Sequence, residues 1–552
     1  MNTFPLTPQQ VPLYNKITKD IVDTIQRIRF NEGIKDGIFY FIQGKAGVGK
    51  TEFAKKLFHF CWKHYGIAVG CSATALAATI YENSNFETTH SLFKIPVDLD
   101  GENEDEKDIE CRLNEDDGNK ERIELLNNTS LIIWDECCSN NVKIFDSVYK
   151  SSYGFKNTVV VCLGSYEQIL PILRGHPSKF EIFNSCLCKS HYWLKFNISV
   201  LKNNLRVVRT DEVIDGINVS EHFEYFIDAI SQNSILPVSS NYFGESNINY
   251  DKPLLDQNGY YIPTDILEDT NYYKFKNLKI FTTEQKISDE EFLINNQSST
   301  IDKNLKDSIN FLYPNGFMNS DKIDNYVVAA VNDRIYYWNE EIQKLNTNKL
   351  HIIIASNKFA EVDDPFHNLM DLFSVEKINE NLINHNVPLH KLLLKVGDIC
   401  LLCVNYSKRF GLTKNRKVII VEITAKKIAV IIANDSSNIG IVWIPRLKFL
   451  FRTKNGSSFS IIRTQFPFRL AYCLTYNKSQ GQSSKGVIMD VTYPPFAHGH
   501  LYVALTRCRF YKRIAFYGLE SQVHRDEHNE IDYINIQSIM HKEVLQEFNQ
   551  FT

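Results

Sequence analysis

The sequence predicts an α/β protein built around parallel β-sheets, and three features of the chain lead to this fold class. Short apolar runs alternate with helical patterns over about the first 205 residues, which is typical of a parallel sheet covered by helices. One of these runs leads into a glycine-rich loop that opens a helix. A second alternating region begins near Asn325, so we expect the 552 residues to form two α/β lobes.

Four apolar runs in the first region are predicted to be buried strands, at 38–43, 68–71, 131–134 and 159–163. An acidic stretch from about residue 96 to 124 interrupts them. Its residues 98–124 carry 13 acidic and 4 basic side chains, and we expect an inserted hairpin or loop there. Residues 1–208 are therefore assigned to the first lobe.

The rest of the chain divides where the composition changes. Residues 209–320 are rich in Asn, Asp, Ser and Tyr with weak periodicity, and form a connector that the pattern leaves unassigned. Residues 326–331 are predicted to be a strand and 333–345 a helix, so 321–395 begins the second lobe. Short β-rich runs at 418–423, 428–433 and 441–444 predict a small barrel inserted at 396–466. Residues 467–552 then complete the second lobe.

Composition limits the classes of partner and compartment. The net charge of −4 gives no bulk sign of nucleic-acid binding, but residues 401–470 hold 13 basic side chains against 2 acidic ones. Twelve scattered cysteines and the lack of an apolar leader favour a reduced, intracellular compartment. Cys400 and Cys403 have zinc-ligand spacing, but they lie in an apolar run without a second pair, so we expect buried strand thiols. No apolar run reaches the ~20 residues of a membrane span.

A phosphate-binding loop follows the first predicted strand and opens a helical run at 52–60. Glycines in such a loop let backbone N–H groups close around phosphates at a helix N-terminus. Lys50 supplies a positive charge to the β- and γ-phosphate oxygens, and the Thr51 hydroxyl can bind Mg²⁺. ATP and Mg²⁺ are therefore the predicted cofactors. The predicted nucleotide contacts in this loop are Gly44, Lys45, Ala46, Gly47, Val48, Gly49, Lys50 and Thr51.

Two carboxylates end the apolar run 131–134. Asp135 is predicted to bind Mg²⁺, and Glu136 to orient or deprotonate the attacking water. Hydrolysis also needs a cation that faces the γ-phosphate, because the transition state spreads negative charge over its oxygens. Arg206 and Arg507 are the candidates.

Taken together, the ordered segments resemble the motifs of superfamily one helicases, in their PIF-type and RecD-like branch. They are the Q motif at 6–10, motif I at 44–51, motif Ia at Thr74 and 89–91, motif II at 135–136, motif III at 164–171, motif IV at 201–206, motif V at 475–482 and motif VI at 502–507. Five segments of the chain resemble the helicase part of Helitron transposons more closely. They are residues 89–96, 131–136, 168–171, 465–470 and 498–503.

This resemblance implies an architecture and a set of residue roles. It implies two RecA-like lobes with ATP in the cleft between them, a small β wedge within 96–124 and an SH3-like β-barrel within 396–466. Gln10 would read adenine, Gly481 would contact the nucleotide, and Gln168 and Gln480 would couple the γ-phosphate to the DNA path. The implied catalytic residues are Lys50, Glu136, Gln168, Arg206 and Arg507.

A motor that moves along a strand without reading it needs phosphate contacts and stacking faces. His90, Phe93 and Lys94 form such a cluster beside motif Ia, and the alternative for Phe93 is a place in the core. The predicted DNA contacts are Thr74, His90, Ser91, Phe93, Thr475, Ser479 and Gln480. Further basic residues for the phosphates are Lys408, Arg409, Lys414, Arg416 and Lys417.

The resemblance implies an ATP-dependent DNA helicase that moves 5′ to 3′ on single-stranded DNA and unwinds forked duplex. Its setting would be DNA repair, recombination, replication, or telomere or transposon maintenance. We expect a monomeric motor in the nucleus, without membrane contact and with room for a single-strand-binding protein as a partner.

Two departures from the motifs keep an alternative open. The family usually has Asp after the motif III glycine, where this chain has Ser165, and Cys137 and Cys138 follow motif II in place of small residues or Pro. A weakly hydrolysing DNA-binding scaffold is therefore the main alternative, and an RNA helicase is a third reading. His498 and His500 do not form a nuclease metal site, because the residue between them is glycine and the segment runs into motif VI.

Overall fold

The fold is taken from a computed structural model, and every structural statement concerns the residues it describes. These are 5–74, 77–78, 81, 86–96, 111–113, 119–151, 153–173, 177–202, 205, 211–214, 217–232, 243–247, 270–283, 303–314, 316–317, 320–359, 387–407, 410–433, 440–452 and 460–549. The predicted wedge falls largely outside them. Its last part, expected as a hairpin or loop, is instead a helix that begins at Lys120.

Lobe 1 is a six-stranded parallel sheet in the order β3-β2-β4-β5-β1-β6. Its strands are β1 (Ile38–Gly44), β2 (Ile67–Ser72), β3 (Phe86–Thr88), β4 (Thr129–Asp135), β5 (Val159–Gly164) and β6 (Phe196–Leu201). Its helices are α1 (Gln10–Phe30), α2 (Lys50–Lys63), α3 (Thr89–Leu92), α4 (Lys120–Asn127), α5 (Val142–Lys150) and α6 (Lys179–Asn184). The four strands predicted from apolar runs are confirmed as β1, β2, β4 and β5.

Both faces of this sheet are covered, which explains why its strands are continuous apolar runs rather than alternating ones. Tyr40 and Ile42 face a cluster with α1 and α2, while Phe39 and Phe41 face a second cluster with α5. Successive side chains of a strand point to opposite faces, so each run must be apolar throughout. The carboxyl ends of β1, β4 and β5 meet at one edge, where parallel sheets bind ligands.

The predicted connector 209–320 is partly wrong, because some of its strands belong to lobe 2. It contains β7 (Val213–Ile214), β8 (Ile217–Asn218), α7 (Val219–Ser231), β9 (Gly244–Asn247), β10 (Thr270–Phe275), β11 (Lys279–Thr283) and α8 (Lys303–Leu312). Strand β11 pairs in parallel with residues 515–519, and β10 pairs with residues 534–539. These partners lie more than 200 residues away along the chain, so no pattern of neighbouring residues predicts the pairing.

Lobe 2 is a five-stranded parallel sheet in the order β11-β25-β24-β12-β23. Before the inserted β unit, its further elements are β12 (Asn325–Ala329) and α9 (Asn332–Lys344). After the insertion come β23 (Cys473–Thr475), α10 (Tyr476–Ser479), β24 (Gly486–Asp490), α11 (His500–Leu505) and β25 (Ile514–Leu519). The strand and helix expected near 326 and 333 are confirmed. Arg334 of α9 and Asp490 of β24 form a buried ion pair of 2.7 Å inside the lobe.

The inserted β unit is wider than the predicted 396–466. Its strands are β13 (Leu350–Ile354), β14 (Ser356–Phe359), β15 (Lys391–Lys395), β16 (Ile399–Leu402), β17 (Lys417–Ile423), β18 (Lys427–Ile432), β19 (Val442–Pro445), β20 (Leu447–Arg452), β21 (Ser460–Gln465) and β22 (Phe468–Leu470). Five of them form an antiparallel sheet in the order β19-β18-β17-β16-β22. Strand β13 pairs with β15 and β14 pairs with β21, so the unit begins near residue 350. Its SH3-like character stays a prediction.

Burial confirms the reading of the two spaced thiols. Cys400 and Cys403 are 0% and 5% exposed and lie in and just after β16. Among the helices that the structure describes, none has the length and hydropathy of a membrane-spanning segment.

The chain ends its described part by returning to lobe 1. After β26 (Val523–Arg525) and β27 (Ile531–Ile539) comes α12 (Lys542–Asn549). Val544 of α12 is 0% exposed and belongs to the apolar cluster of lobe 1. Glu543 pairs with Lys179 of α6 at 2.5 Å. Helix α12 therefore packs on lobe 1, although the preceding strand β27 pairs with β10.

Candidate nucleotide and DNA site

The phosphate-binding loop has the predicted strand, loop and helix context. Strand β1 ends at Gly44 and α2 begins at Lys50, with the left-handed Gly49 as its N-cap. Gly47 and Gly49 have φ of 94° and 83°, a region in which a Cβ atom is strained. These glycines let the loop turn so that its N–H groups face one point in front of α2.

Lys50 is held inside this loop. It is 8% exposed, and its ammonium donates to the carbonyl oxygens of Gly44 and, at 3.1 Å, of Lys45. Burial lowers its pKa, and the charges of Glu136, Asp135 and Glu167 act in the opposite direction. The ammonium therefore lies among three carboxylates at the edge of the sheet.

The two motif II carboxylates differ in their surroundings. Asp135 is 4% exposed, and burial together with the neighbouring charge of Glu136 raises its pKa to about 6. Glu136 is half-buried and has φ of 52°, a left-handed conformation that is uncommon for a non-glycine residue. Such backbone outliers cluster at functional sites, because the surrounding structure must hold them in place.

Residues suited to hold Mg²⁺ are close together. The Tyr81 hydroxyl donates to Asp135 Oδ2 at 2.5 Å and also bonds to the Thr51 side chain. One phenol oxygen thus bonds to both predicted metal ligands, which places the Thr51 and Asp135 side chains close together. Hydroxyl and carboxylate oxygens are the donors that Mg²⁺ prefers, so the residues present fit this ion.

Motif III lies beside the loop with its polar side chains buried. Gln168 is 3% exposed, and its Oε1 atom has no hydrogen-bond partner. Such a buried acceptor is costly to leave unsatisfied, and it marks Gln168 as a group suited to a ligand or water in the cleft. The Ser165 hydroxyl donates to Glu167 Oε2 at 2.6 Å.

Lobe 2 contacts this site directly. The Ala46 N–H of the phosphate loop donates to the Tyr502 hydroxyl of α11 at 3.1 Å. Gln480 Nε2 donates to Glu136 Oε2 at 2.9 Å and to Ser139 Oγ at 3.3 Å. The predicted coupling glutamine therefore bonds to the predicted catalytic carboxylate across the cleft.

His498 and Gly499 join motif III to the start of α11. His498 Nδ1 accepts from the His541 N–H at 2.8 Å, so Nε2 carries the proton and donates to the Tyr166 carbonyl at 2.7 Å. Gly499 has φ of 72°, and a Cβ atom there would lie 2.8 Å from the Gln168 carbonyl. Only glycine permits this close approach of the two lobes.

Of the two candidate arginines, only Arg507 lies among the described residues. Arg507 is 3% exposed, and its guanidinium donates to the Val503 carbonyl at 2.8 Å and to Thr506 Oγ1 at 3.0 Å. Burial lowers its pKa, while the charges of Tyr326 and Glu136 act to raise it, so the charge of Glu136 acts on Arg507 across the cleft. Arg206 lies outside the described residues. Its neighbour Leu205 donates its N–H to the Gly47 carbonyl at 2.9 Å.

Two further predicted nucleotide contacts lie beside the loop. Gln10 is 5% exposed; its Nε2 donates to the Val48 carbonyl at 3.3 Å and its Oε1 accepts from the Thr7 N–H at 3.1 Å. Gln10 therefore supports the phosphate loop, and adenine reading stays a prediction. Gly481 has φ of 78° with open space around it, so backbone can approach it closely. The loop residue Lys45 forms an ion pair of 2.9 Å with Asp228 of α7.

The predicted DNA contacts of lobe 1 divide by exposure. Thr74 is exposed, and His90 and Ser91 are half-buried, with the Ser91 hydroxyl bonded to Glu87. Phe93 is wrong as a DNA contact, because it is 0% exposed and packs against Trp134 with ring centroids 5.2 Å apart. An aromatic ring beside a motif is attractive for stacking, but this one fills the core.

We expect Phe93→Ala to lower the free energy of unfolding by about 3–5 kcal/mol, because it leaves a cavity beside Trp134. Chemical denaturation followed by tryptophan fluorescence measures this loss. The exposed neighbour Lys94 provides the control, since Lys94→Ala should keep the stability of the wild type. Unchanged stability of the Phe93 variant would contradict its place in the core.

The predicted DNA contacts of motif V are also divided. Thr475 is half-buried and its hydroxyl accepts from the Lys478 N–H at 3.1 Å, which caps α10. Ser479 is wrong as a surface contact, because it is 0% exposed and donates to the Tyr476 carbonyl at 2.7 Å. Gln480 follows it and turns toward Glu136.

The basic residues of the insertion do not all face outward. Lys408 and Arg409 lie outside the described residues. Lys417 is half-buried, its ammonium donates to the Ile323 carbonyl at 3.2 Å and packs over Tyr326 at 4.2 Å, and burial lowers its pKa to about 8. Its contact with phosphates stays a prediction. Lys414 and Arg416 are half-buried. Burial, Arg469 and Lys414 together lower the pKa of Lys478 to about 8, so three cations lie close together.

Sequence reasoning missed Tyr81, Tyr502 and His498 as residues of the site. Tyr502 and His498 stand inside or beside motif segments, so their positions were a usable signal. Tyr81 stands apart from every motif, and its stacking on Phe86, with centroids 3.7 Å apart, has no sequence signature.

Comparison with known proteins agrees with this geometry. Residues 14–238 match the family of PIF1-like helicases. The ATP-dependent DNA helicase Pif1 of Campylobacter jejuni is 22% identical over 481 residues, which is 85% of this chain and 86% of that protein.

Solved structures extend the likeness in fold beyond the first lobe. Bacteroides Pif1 bound to single-stranded DNA aligns with a TM-score of 0.53 and 20% identity, over 91% of both chains. A structure of two coordinating Pif1 helicases that unwind forked double-stranded DNA aligns with a TM-score of 0.55 and 19% identity, over 93% and 92% of the two chains. The closer likeness to Helitron helicases stays a prediction. With its motifs in order, its two lobes in contact at the phosphate loop and its first lobe matched, the chain is similar to the PIF1-like helicases in sequence over residues 14–238 and in fold over most of its length.

Proposed function

We propose that this PIF1-like helicase hydrolyses ATP between its two lobes to move 5′ to 3′ along single-stranded DNA and to unwind forked duplex. The observation that carries the proposal is the hydrogen bond between Gln480 of lobe 2 and Glu136 of lobe 1. This bond connects lobe 2 to the carboxylate that is predicted to face the attacking water. Hydrolysis can therefore weaken or strengthen the contact between the two lobes.

The described residues divide the chemistry among themselves. Lys50 places its charge where the β- and γ-phosphates bind, and the N–H groups of the glycine loop surround them. Glu136 orients the attacking water and accepts its proton. The buried Oε1 atom of Gln168 can accept a hydrogen bond from the same water. Mg²⁺, held through Thr51 and Asp135, would supply charge neutralisation at the phosphates. Arg507 is the described cation that approaches from lobe 2.

Tyr502 ties the lobe 2 helix to the same loop that binds phosphate. Its hydroxyl accepts the Ala46 N–H, and phosphates compete for such loop donors. Nucleotide binding and lobe contact therefore share one donor. This supports a motor in which each ATP cycle remakes the contact between the lobes.

The DNA path is proposed to run over both lobes. Exposed Thr74 and half-buried His90 would contact the strand on lobe 1. On lobe 2 the cluster of Lys414, Arg469 and Lys478 would contact phosphates, because closely spaced cations gain free energy when an anion enters between them. Both sets give contacts that tolerate any base sequence.

The relatives supply the substrate class. One solved relative is bound to single-stranded DNA and another acts at forked duplex. We propose the same substrates here, for a monomeric motor that acts in the nucleus with a single-strand-binding protein, in DNA repair, recombination, replication, or telomere or transposon maintenance.

Strand displacement tests both the activity and its direction. We expect a labelled duplex with a 5′ single-stranded tail to be unwound with ATP and Mg²⁺, and the same duplex with only a 3′ tail to stay paired. An RNA tail of equal length should stimulate ATP hydrolysis less than DNA. Unwinding from the 3′ tail alone would reverse the polarity, and DNA binding without any ATP hydrolysis would favour the scaffold.

A further inference from the structure

Motif III carries Ser165 where the resemblance leads us to expect an aspartate, yet a carboxylate from the same motif is hydrogen-bonded to that serine. The Glu167 Oε2 atom accepts from the Ser165 hydroxyl at 2.6 Å. It also accepts from Gln43 Nε2 at the end of β1, at 3.0 Å. Glu167 is thus fixed between β1 and β5, directly before the phosphate loop.

This carboxylate is buried next to the nucleotide site. Glu167 is 6% exposed, and its charge acts on Lys50 and on Tyr502. Removing an isolated carboxylate from water is costly unless a cation or several donors compensate for it. Two neutral donors and the Lys50 charge supply this compensation, so the position favours a carboxylate.

The neighbouring atoms show that this place is not a closed core contact. Gln43 Oε1 and Gln168 Oε1 are both buried without a hydrogen-bond partner. The backbone carbonyl of Glu167 lies against Gly499 of lobe 2. Glu167 therefore stands where the phosphate loop, motif III and lobe 2 meet.

We propose that Glu167 replaces the missing motif III aspartate as a positioning residue that favours metal-bound over metal-free nucleotide. This inference rests on the proposed function, since it concerns the same ATP site. The negative charge of Glu167 near Lys50 repels a polyphosphate without bound metal and attracts a divalent cation. Both effects are strong in a buried site. Ser165 keeps the Glu167 carboxylate in place, so the pair acts as one unit.

The test measures nucleotide affinity rather than turnover. A fluorescent ADP analogue is titrated into the full-length protein with Mg²⁺ and with EDTA, and the ratio of the two dissociation constants is compared. We expect Glu167→Gln, which keeps the size and the hydrogen bonds, to reduce the preference for Mg²⁺ about tenfold, the effect of one nearby charge. Ser165→Ala should reduce it less.

A rescue variant separates charge from structure. In the double variant Ser165→Asp with Glu167→Gln, the carboxylate is moved by two residues to a side chain that already touches the site. We expect it to restore the preference for Mg²⁺. The matched control Glu121→Gln removes one exposed carboxylate from α4 and should leave the ratio unchanged.

The outcomes distinguish this inference from the proposed function. An unchanged ratio in Glu167→Gln, with the wild-type melting temperature, would overturn the role of Glu167 while wild-type ATP hydrolysis still supports the motor. Failure of the rescue variant would likewise overturn the charge argument. Absence of DNA-stimulated hydrolysis in the wild type would instead count against the motor itself.

Discussion

Lys50→Ala should abolish ATP turnover, with a loss of about 10³-fold or more, because it removes a charge that stabilises the transferring phosphoryl group. The structure adds a reason beyond the motif. Lys50 is 8% exposed, and the charges of Asp135, Glu136 and Glu167 all act on its ammonium, so its removal leaves these carboxylates without that partner. The three carboxylates would then face the phosphates without this compensation.

Steady-state ATP hydrolysis with and without single-stranded DNA measures this effect. Lys55→Ala is the matched control, because Lys55 lies five residues further along α2 and pairs at the surface with Glu52 at 3.0 Å. It should hydrolyse ATP like the wild type. Near-normal turnover by a folded Lys50→Ala variant would remove the phosphate loop from the mechanism.

Arg507→Ala should keep nucleotide binding and lose about 10³-fold in kcat, because it removes a cation that acts in the transition state. Its guanidinium is held by Val503 and Thr506, which fixes its direction before ATP arrives. Arg507→Lys should not restore the rate, since an ammonium lacks the planar array of donors.

Two measurements separate this loss from misfolding. Thermal unfolding reports the stability of the variant, and binding of the fluorescent nucleotide reports the intact loop. Arg509→Ala offers a matched control on an exposed arginine two residues further on. Unchanged turnover in Arg507→Ala would demote this residue to a structural role in lobe 2.

Local chemistry made the nucleotide site predictable. The glycine loop, Lys50 and the pair Asp135 and Glu136 each depend on a short segment in a strand, loop and helix context. The structure confirms that context and brings the segments to one edge of the sheet. Gln480 could be assigned a coupling role only through the resemblance, and its bond to Glu136 gives that role a physical basis.

Residues decided by long-range packing were not predictable in the same way. Phe93 lies beside motif Ia and Ser479 lies in motif V, two segments predicted to contact DNA, but burial in lobe 1 and hydrogen bonding within α10 decide their environment. Strand β11 was hidden because its partner β25 lies far along the chain. A periodicity argument sees neighbours in sequence, whereas these features depend on neighbours in space.

The return of α12 to lobe 1 has a mechanical consequence. The chain starts in lobe 1, builds lobe 2 and is anchored again on lobe 1 through Val544 and the pair of Glu543 with Lys179. A pulling force applied between residues 5 and 549 therefore loads the terminal helices α1 and α12, both of which pack on lobe 1, before it reaches lobe 2. In an optical trap, a small early extension that a disulfide between α6 and α12 abolishes would reveal this order of rupture.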